Sequence, residues 1–144
     1  MATIRVRNLQ RKVPINLAEL NKFAAKALAY CLRLPRRKSG QLSRLSEIFV
    51  LLVSDCRMAR LHRQFLNQPG PTDVLTFQHG EIVISVETAR RNARAFGTSL
   101  QRELRLYIAH GLLHLHGFDD QTDAGARKMK ETQEKILAAL SQSE

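Results

Sequence analysis

The chemistry this chain can offer is concentrated in eleven residues. Positions 110–120 read His-Gly-Leu-Leu-His-Leu-His-Gly-Phe-Asp-Asp. His110 and His114 are four apart, so on a helix both imidazoles project from one face, one turn apart. That spacing lets two ring nitrogens meet one metal ion at about 2.0–2.1 Å. Gly117 allows the helix to stop and the chain to reverse. The turn that follows can return a carboxylate to the pair. Asp120 is an acceptable third ligand for zinc; Asp119 is the other candidate, or else an acceptor that orients an imidazole. Three protein ligands and an open fourth position form the pattern of a catalytic zinc, here one per chain. A histidine pair alone is a weak signal, but three of the five histidines fall within seven residues, followed by a glycine stop and two acids. His116 sits ~200° around the helix from His114 and reads as a supporting or surface residue.

One reaction class is disfavoured at once. In the peptidase motif H-E-x-x-H, a glutamate beside the first histidine serves as general base. Here that position is Gly111. Glu103 lies two turns before His110 on roughly the same face and reads as a solvated helix charge. A small metallohydrolase acting on peptides or other esters therefore trails.

Charge narrows the partner. The 144 residues carry 23 Lys and Arg against 13 Asp and Glu, a formal +10. Residues 1–46 hold eleven basic side chains and one acid, Glu19, and so account for the whole excess. A one-sided basic balance points to a polyanion such as RNA, DNA or a ribosome. Candidate contacts are Arg36, Arg37 and Lys38, and Arg90, Arg91 and Arg94. An aromatic content of 6% argues against a reader that stacks single-stranded bases on aromatic side chains.

The elements that must position these residues follow from periodicity. Thr3–Asn8 alternates as a half-buried strand. Asn16 can cap a helix, with Glu19 as capping-box partner. Leu20, Phe23, Ala24, Ala27, Leu28 and Cys31 form its stripe, to about Leu34 before Pro35. Residues 35–44, basic and containing Pro, Gly and Ser, read as an exposed loop. Ile48–Val53 is a continuous apolar run, the pattern of a central strand covered on both faces. Ser54 and Asp55 can cap a second helix with Met58, Leu61 and Phe65 inward. Residues 67–71, Asn-Gln-Pro-Gly-Pro, read as a turn. Short strands are expected at Val74–Phe77 and Glu81–Ser85. A third helix buries Val86, Ala89, Ala93 and Phe96 and turns Arg90, Arg91 and Arg94 to solvent. The fourth runs from a Ser99 cap to Gly117 with Leu104, Ile108, Leu112 and Leu115 inward, and carries the histidine pair. The fifth starts at Thr122 with Ala126, Met129, Gln133, Ile136, Leu137 and Leu140 on its stripe. About four strands and five helices, with crossovers of unequal length, imply α+β with a mixed four-stranded sheet.

Length and composition set the outer bounds. Residues 1–144 are expected to form a single domain. Ordinary Gly and Pro content excludes collagen-like and low-complexity classes. The longest apolar run is far short of the roughly 20 residues of a spanning helix, and the N-terminus is charged where a signal peptide is apolar. The expectation is a cytoplasmic protein that is neither secreted nor in a membrane. Cys31 and Cys56 read as two buried thiols in a reducing compartment.

At this point the chain resembles a known family. Residues 110–120 match the YbeY motif H-G-x-L-H-L-x-G-Y/F-D-H at most positions. Residues 71–77, P-T-D-V-L-T-F, resemble its P-T-D-V-L-S-F, and residues 80–85, G-E-I-V-I-S, its G-D-I-x-I-S. The resemblance implies a zinc-dependent endoribonuclease specific for single strands, acting in rRNA maturation at the 16S 3′ end. It implies His110, His114 and Asp120 as zinc ligands, and rRNA, the ribosome or ribosomal proteins as partners. Two departures stand out. The family's third histidine falls on Asp120. The arginine of its Y-R, before the P-T-D segment, falls on Leu66 after Phe65, leaving Arg63, one turn earlier, as a weak catalytic substitute. The alternative is a non-catalytic ribosome-assembly factor whose metal is structural.

Overall fold

The structure is a computed structural model that describes residues 2–66 and 72–141. The turn expected at 67–71 lies outside the described residues. Four strands and five helices follow in the order β1 (Thr3–Asn8), α1 (Leu17–Arg33), β2 (Glu47–Val53), α2 (Asp55–Leu66), β3 (Val74–Phe77), β4 (Glu81–Ser85), α3 (Val86–Phe96), α4 (Leu100–Leu115) and α5 (Asp123–Ser141). The α+β class and the mixed sheet are as the sequence predicts. Strand order is β1-β2-β4-β3. The long crossovers through α1 and α2 allow β1, β2 and β4 to run parallel, whereas the short turn at 78–80 makes β3 antiparallel to β4.

Alternation along the strands sorts the two faces. Val6 pairs with Val50, and Val50 with Ile82, so all three point into the main core with Ile48, Leu52 and Ile84. Leu75 pairs with Val83 on the opposite face, where α2 covers them with Met58. β1 is a sheet edge, and α1 protects it: the Val6 N–H donates to Asn21 Oδ1 at 2.8 Å, and Asn21 Nδ2 donates to the Val6 carbonyl at 3.2 Å. One side chain thus satisfies a peptide that would otherwise invite a foreign strand.

The caps are local and match their sequence signals. Asn16 Oδ1 accepts from the Glu19 N–H, Ser54 Oγ from Arg57, Ser99 Oγ from Arg102 and Thr122 Oγ1 from Gly125. Glu19 does more than the capping box requires, because its carboxylate pairs with Arg105 of α4 and ties α1 to that helix.

Helix α4 is the centre of the molecule. It packs against α1, α3, α5, β3 and β4, and Leu104, Ile108, Leu112 and Leu113 are fully buried. Truncating any of these to Ala costs about 2–5 kcal/mol. Gly111 lets α4 lie close on the sheet. A Cβ there would come within 2.7 Å of the Ile82 side chain. The absence of a glutamate beside His110 is therefore a packing requirement.

Several expectations give way to tertiary context. Glu103 is 4% exposed rather than solvated, and accepts from Thr98 Oγ1 at 2.9 Å. Phe65 and Phe96 are 56% and 71% exposed, since each ends its helix beyond the reach of the core. Cys56 is exposed; Cys31 alone is a buried thiol, and burial pushes it up to about 12. The loop after α1 contains a 3₁₀ turn, Leu42–Arg44, that buries Leu42 completely.

Candidate active site

His110 and His114 stand one turn apart near the end of α4, both half-buried. His110 Nδ1 lies 2.7 Å from Gln133 Oε1 on α5. A carboxamide oxygen only accepts, so in the neutral imidazole Nδ1 carries the proton and Nε2 the lone pair. Gln133 belongs to the inward stripe of α5, and its burial serves this contact.

The helix ends where the sequence predicts. Gly117 adopts a φ of +106°, and a Cβ there would meet Arg37 Cβ at 2.7 Å. The reversal brings the next residues back along α4 and α5. Asp119 Oδ1 accepts from the Gln121 N–H at 3.1 Å and so stabilises the turn itself. Asp120 faces a cavity of about 310 Å³ that is also lined by Asp73, Val74, Leu106, Tyr107, His110 and Gln133. Of the two acids, Asp120 is the one that shares a cavity with a histidine.

Asp73 is the residue that motif reading passed over, although it is the acid of the P-T-D segment. It stands just before β3, where its Oδ1 accepts from the Val74 N–H at 2.8 Å and its carbonyl accepts from the Ser85 N–H at 2.9 Å. Both bonds aim the start of the edge strand at α4. Tyr107 was also missed, because at helical spacing it reads as core. Burial pushes its phenol up to about 12, the charges of Asp73 and Glu103 push the same way, and Asn92 Nδ2, donating to Oη at 2.7 Å, opposes them. Tyr107 is therefore a neutral phenol throughout the physiological range.

The electrostatics of the cavity are one-sided. Among the described residues two carboxylates and an imidazole line it, and no Lys or Arg does, in a chain whose net charge is +10. His114 is not part of the lining. Among the described residues no three His, Cys, Asp or Glu side chains converge as a metal cage. The donor set nonetheless suits zinc: an imidazole with a bare nitrogen, a second one turn away, and a carboxylate across the cavity.

The remaining candidates are dispersed. His116 is not a surface residue. It is 4% exposed, its Nε2 lies 3.0 Å from the Pro35 carbonyl, and its ring stacks on Phe118. It holds the 35–41 loop to the end of α4. Arg63 is exposed on α2 and does not line the cavity; Leu66 is exposed at the end of the same helix. Arg36 and Lys38 are exposed, whereas Arg37 lies over the Phe118 ring, 3.7 Å from its centroid. Arg94 is exposed and Arg90 half-buried, and Arg91 Nη1 is engaged at 2.7 Å by Asp55 Oδ2. No helix among the described residues is long and apolar enough to cross a membrane.

Comparison with known proteins agrees with this arrangement. The family described as Endoribonuclease YbeY matches residues 5–141. The Endoribonuclease YbeY of Nautilia profundicola is 41% identical over 102 residues, covering 65% of this chain and 72% of that protein. That of Moorella thermoacetica is 39% identical over 114 residues, covering 66% and 73%. A solution structure of a Thermotoga maritima protein superposes with a TM-score of 0.63 at 26% identity, covering 98% of this chain and 93% of that one. A match over nearly the full length, in a fold that sets His110 in one cavity with Asp73 of the P-T-D segment and Asp120 of the G-F-D-D segment, means that the chain belongs to the YbeY endoribonuclease family.

Proposed function

We propose that this protein is a metal-dependent endoribonuclease that hydrolyses single-stranded RNA in rRNA maturation, near the 16S 3′ end, with one zinc held by His110, His114 and Asp120. The observation that carries the reading, beyond family membership, is the cavity that joins His110 to Asp73 and Asp120 without a single cation. Such a surface repels a phosphodiester until a positive charge occupies it. Residues one helical turn apart reach a common ion by choice of rotamer. Zinc, when bound, supplies that charge, polarises a phosphoryl oxygen and lowers the pKa of water.

The chain's own groups do the rest. Gln133 holds the His110 proton on Nδ1 and so keeps Nε2 available as a donor atom. Tyr107, protonated and buried, offers a hydrogen-bond donor beside the carboxylates without adding charge. Asp73 and Asp120 confine a cation to this end of α4. Arg36, Lys38, Arg90 and Arg94, outside the cavity, supply backbone affinity. With rRNA as substrate, the site of action is the cytoplasm, and the ribosome or ribosomal proteins are partners. Membership in a family of endoribonucleases favours this over a non-catalytic assembly factor.

The test is cleavage of single-stranded RNA, with metal content measured on the same samples. Wild-type protein is expected to cleave, to lose activity to chelator and to regain it with zinc. His110→Ala, prepared identically to control for contaminating ribonuclease, is expected to lose both zinc and cleavage. Equal cleavage by variant and wild type would overturn the enzyme reading, and full zinc content in the variant would overturn the ligand assignment.

A further inference from the structure

A second cavity, of about 430 Å³, opens on the other side of the 118–120 turn. We propose that it binds one nucleotide of the RNA strand beside the reactive site, its phosphate held by Arg36, Arg37, Lys128 and Lys135 and its base by Tyr30. The inference rests on the reading of RNA as substrate and adds to it a built subsite.

Four cations from two separate elements converge on this cavity, and among the described residues no acid lines it. Among the described residues none of the four is in an ion pair, although all four are exposed. Like charges gathered without counter-charges raise one another's energy unless an anion joins them. Phe118, which is buried, and Tyr30, half-buried, give the cavity aromatic surface. Arg37 already sits over the Phe118 ring, 3.7 Å from its centroid. A guanidinium held on a ring keeps its edge N–H groups free for a phosphate and loses little freedom on binding. Low overall aromatic content hid this, because the two residues are far apart in sequence and share a cavity only through α1 and the 118–120 turn.

Position links the cavity to the reactive site. Thr132 and Gln133 are consecutive on α5; the first lines this cavity and the second lines that of His110. Phe118 and Asp120 divide in the same way across the turn. A strand whose scissile phosphate sits at His110 would therefore present a neighbouring nucleotide here. The volume falls within the range of small-ligand pockets, and a cationic groove with a stacking face is the combination that holds single strands without reading sequence.

The experiment uses the full chain and a short, end-labelled oligouridylate carrying 4-thiouridine, read by anisotropy on ice before cleavage sets in. Lys128→Ala with Lys135→Ala is expected to weaken affinity at least about fivefold and to flatten the log affinity against log salt slope by up to about 0.7, the value for one single-strand phosphate contact. Tyr30→Leu is expected to weaken affinity about fivefold or more at unchanged slope, the scale of one lost base stack. Phe118→Leu, which removes the ring under Arg37, is expected to weaken affinity as well, and if it fails to fold, Tyr30→Leu and the lysine pair carry the test. Photo-crosslinks should map to Tyr30. In cleavage assays these variants raise KM and leave kcat unchanged. Unchanged affinity and slope in the lysine pair and in Tyr30→Leu, with native melting, would overturn the subsite, and would do so even if His110→Ala abolishes cleavage. Affinity losses in a protein that cleaves nothing would uphold the subsite while the enzyme reading fails.

Discussion

His110 has its donor nitrogen chosen by an amide two helices' width of sequence away, and that dependence is measurable. Gln133→Leu removes the acceptor for Nδ1–H. Activity is expected to fall about 10–100-fold, the usual cost of losing an orienting partner, with RNA affinity unchanged and partial rescue by Gln133→Glu. Asp120 falls on the histidine of the motif that residues 110–120 resemble, so Asp120→His is expected to retain zinc and Asp120→Ala to lose it, as read by elemental analysis. Tyr107 and Cys31 set the alkaline limit. Both are neutral acids whose values rise to about 12, from 10.0 and 9.0. Above their ordinary values the unfolded chain gives up these protons while the folded chain keeps them, so stability falls as pH rises from about 9 towards 12. Thermal melts across that range should fall less steeply for Tyr107→Phe and for Cys31→Ala than for wild type.

At the scale of elements, two junctions bear most weight. Asp55, in the first turn of α2, accepts from Ser85 Oγ and from Thr88 Oγ1 at 2.7 Å, and pairs with Arg91, so that α2 is clamped to the start of α3. Burial alone would raise its carboxyl, but the hydrogen bonds from Arg91, Ser85 and Thr88, with the Arg91 charge, hold it below its ordinary 3.8. The stability from this clamp is fully present above pH 3.8 and is lost as pH falls through the lower, folded value. Asp55→Asn should therefore be less stable at neutral pH and flatter on the acid limb. Arg91 follows the same logic: Arg91→Ala is expected to lower the melting temperature and to leave RNA affinity nearly unchanged, because its guanidinium already has a partner. The other junction is α4 on β4. Gly111→Ala drives a Cβ into Ile82, an overpacking worth about 1–3 kcal/mol that outweighs the helix preference of Ala. The cost should shrink when Ile82 is also Ala, a coupling that a double-mutant cycle measures.

Across the whole molecule, charge and chemistry are kept apart. The excess of basic residues belongs to β1, α1 and the loop after it, whereas the His110 cavity is lined by acids. RNA affinity is thus expected to be a property of many exposed cations, and turnover a property of one site. The log of affinity should fall with the log of salt at about −0.7 per phosphate contacted. Charge reversal at Arg36, Arg37 and Lys38 should flatten that line, and His114→Ala should leave it where it is while abolishing cleavage. Affinity indifferent to salt would point to a protein partner for the basic face.

What the sequence by itself determined is whatever depends on neighbours within about one turn or one pleat. The strand boundaries at Thr3–Asn8 and Val74–Phe77, the caps at Asn16, Ser99 and Thr122, the stripe of α1 and the stop at Gly117 all follow from local sterics and hydrogen bonding. The histidine pair was legible for the same reason, since i, i+4 spacing on a helix is itself local geometry. Tertiary structure alone decided which of these surfaces are covered. Phe65 and Phe96 sit at the right period but at helix ends that leave them largely exposed, Phe65 with only an edge-on contact to Phe77 among the described rings, while Glu103 and His116, polar by type, are enclosed by Thr98 and by the 35–41 loop. It also decided the company of His110. Asp73 arrives on a sheet edge, Gln133 on α5 and Asp120 through a reversal. No periodicity relates them, because a cavity wall is assembled from segments whose separation along the chain carries no information about their distance in space.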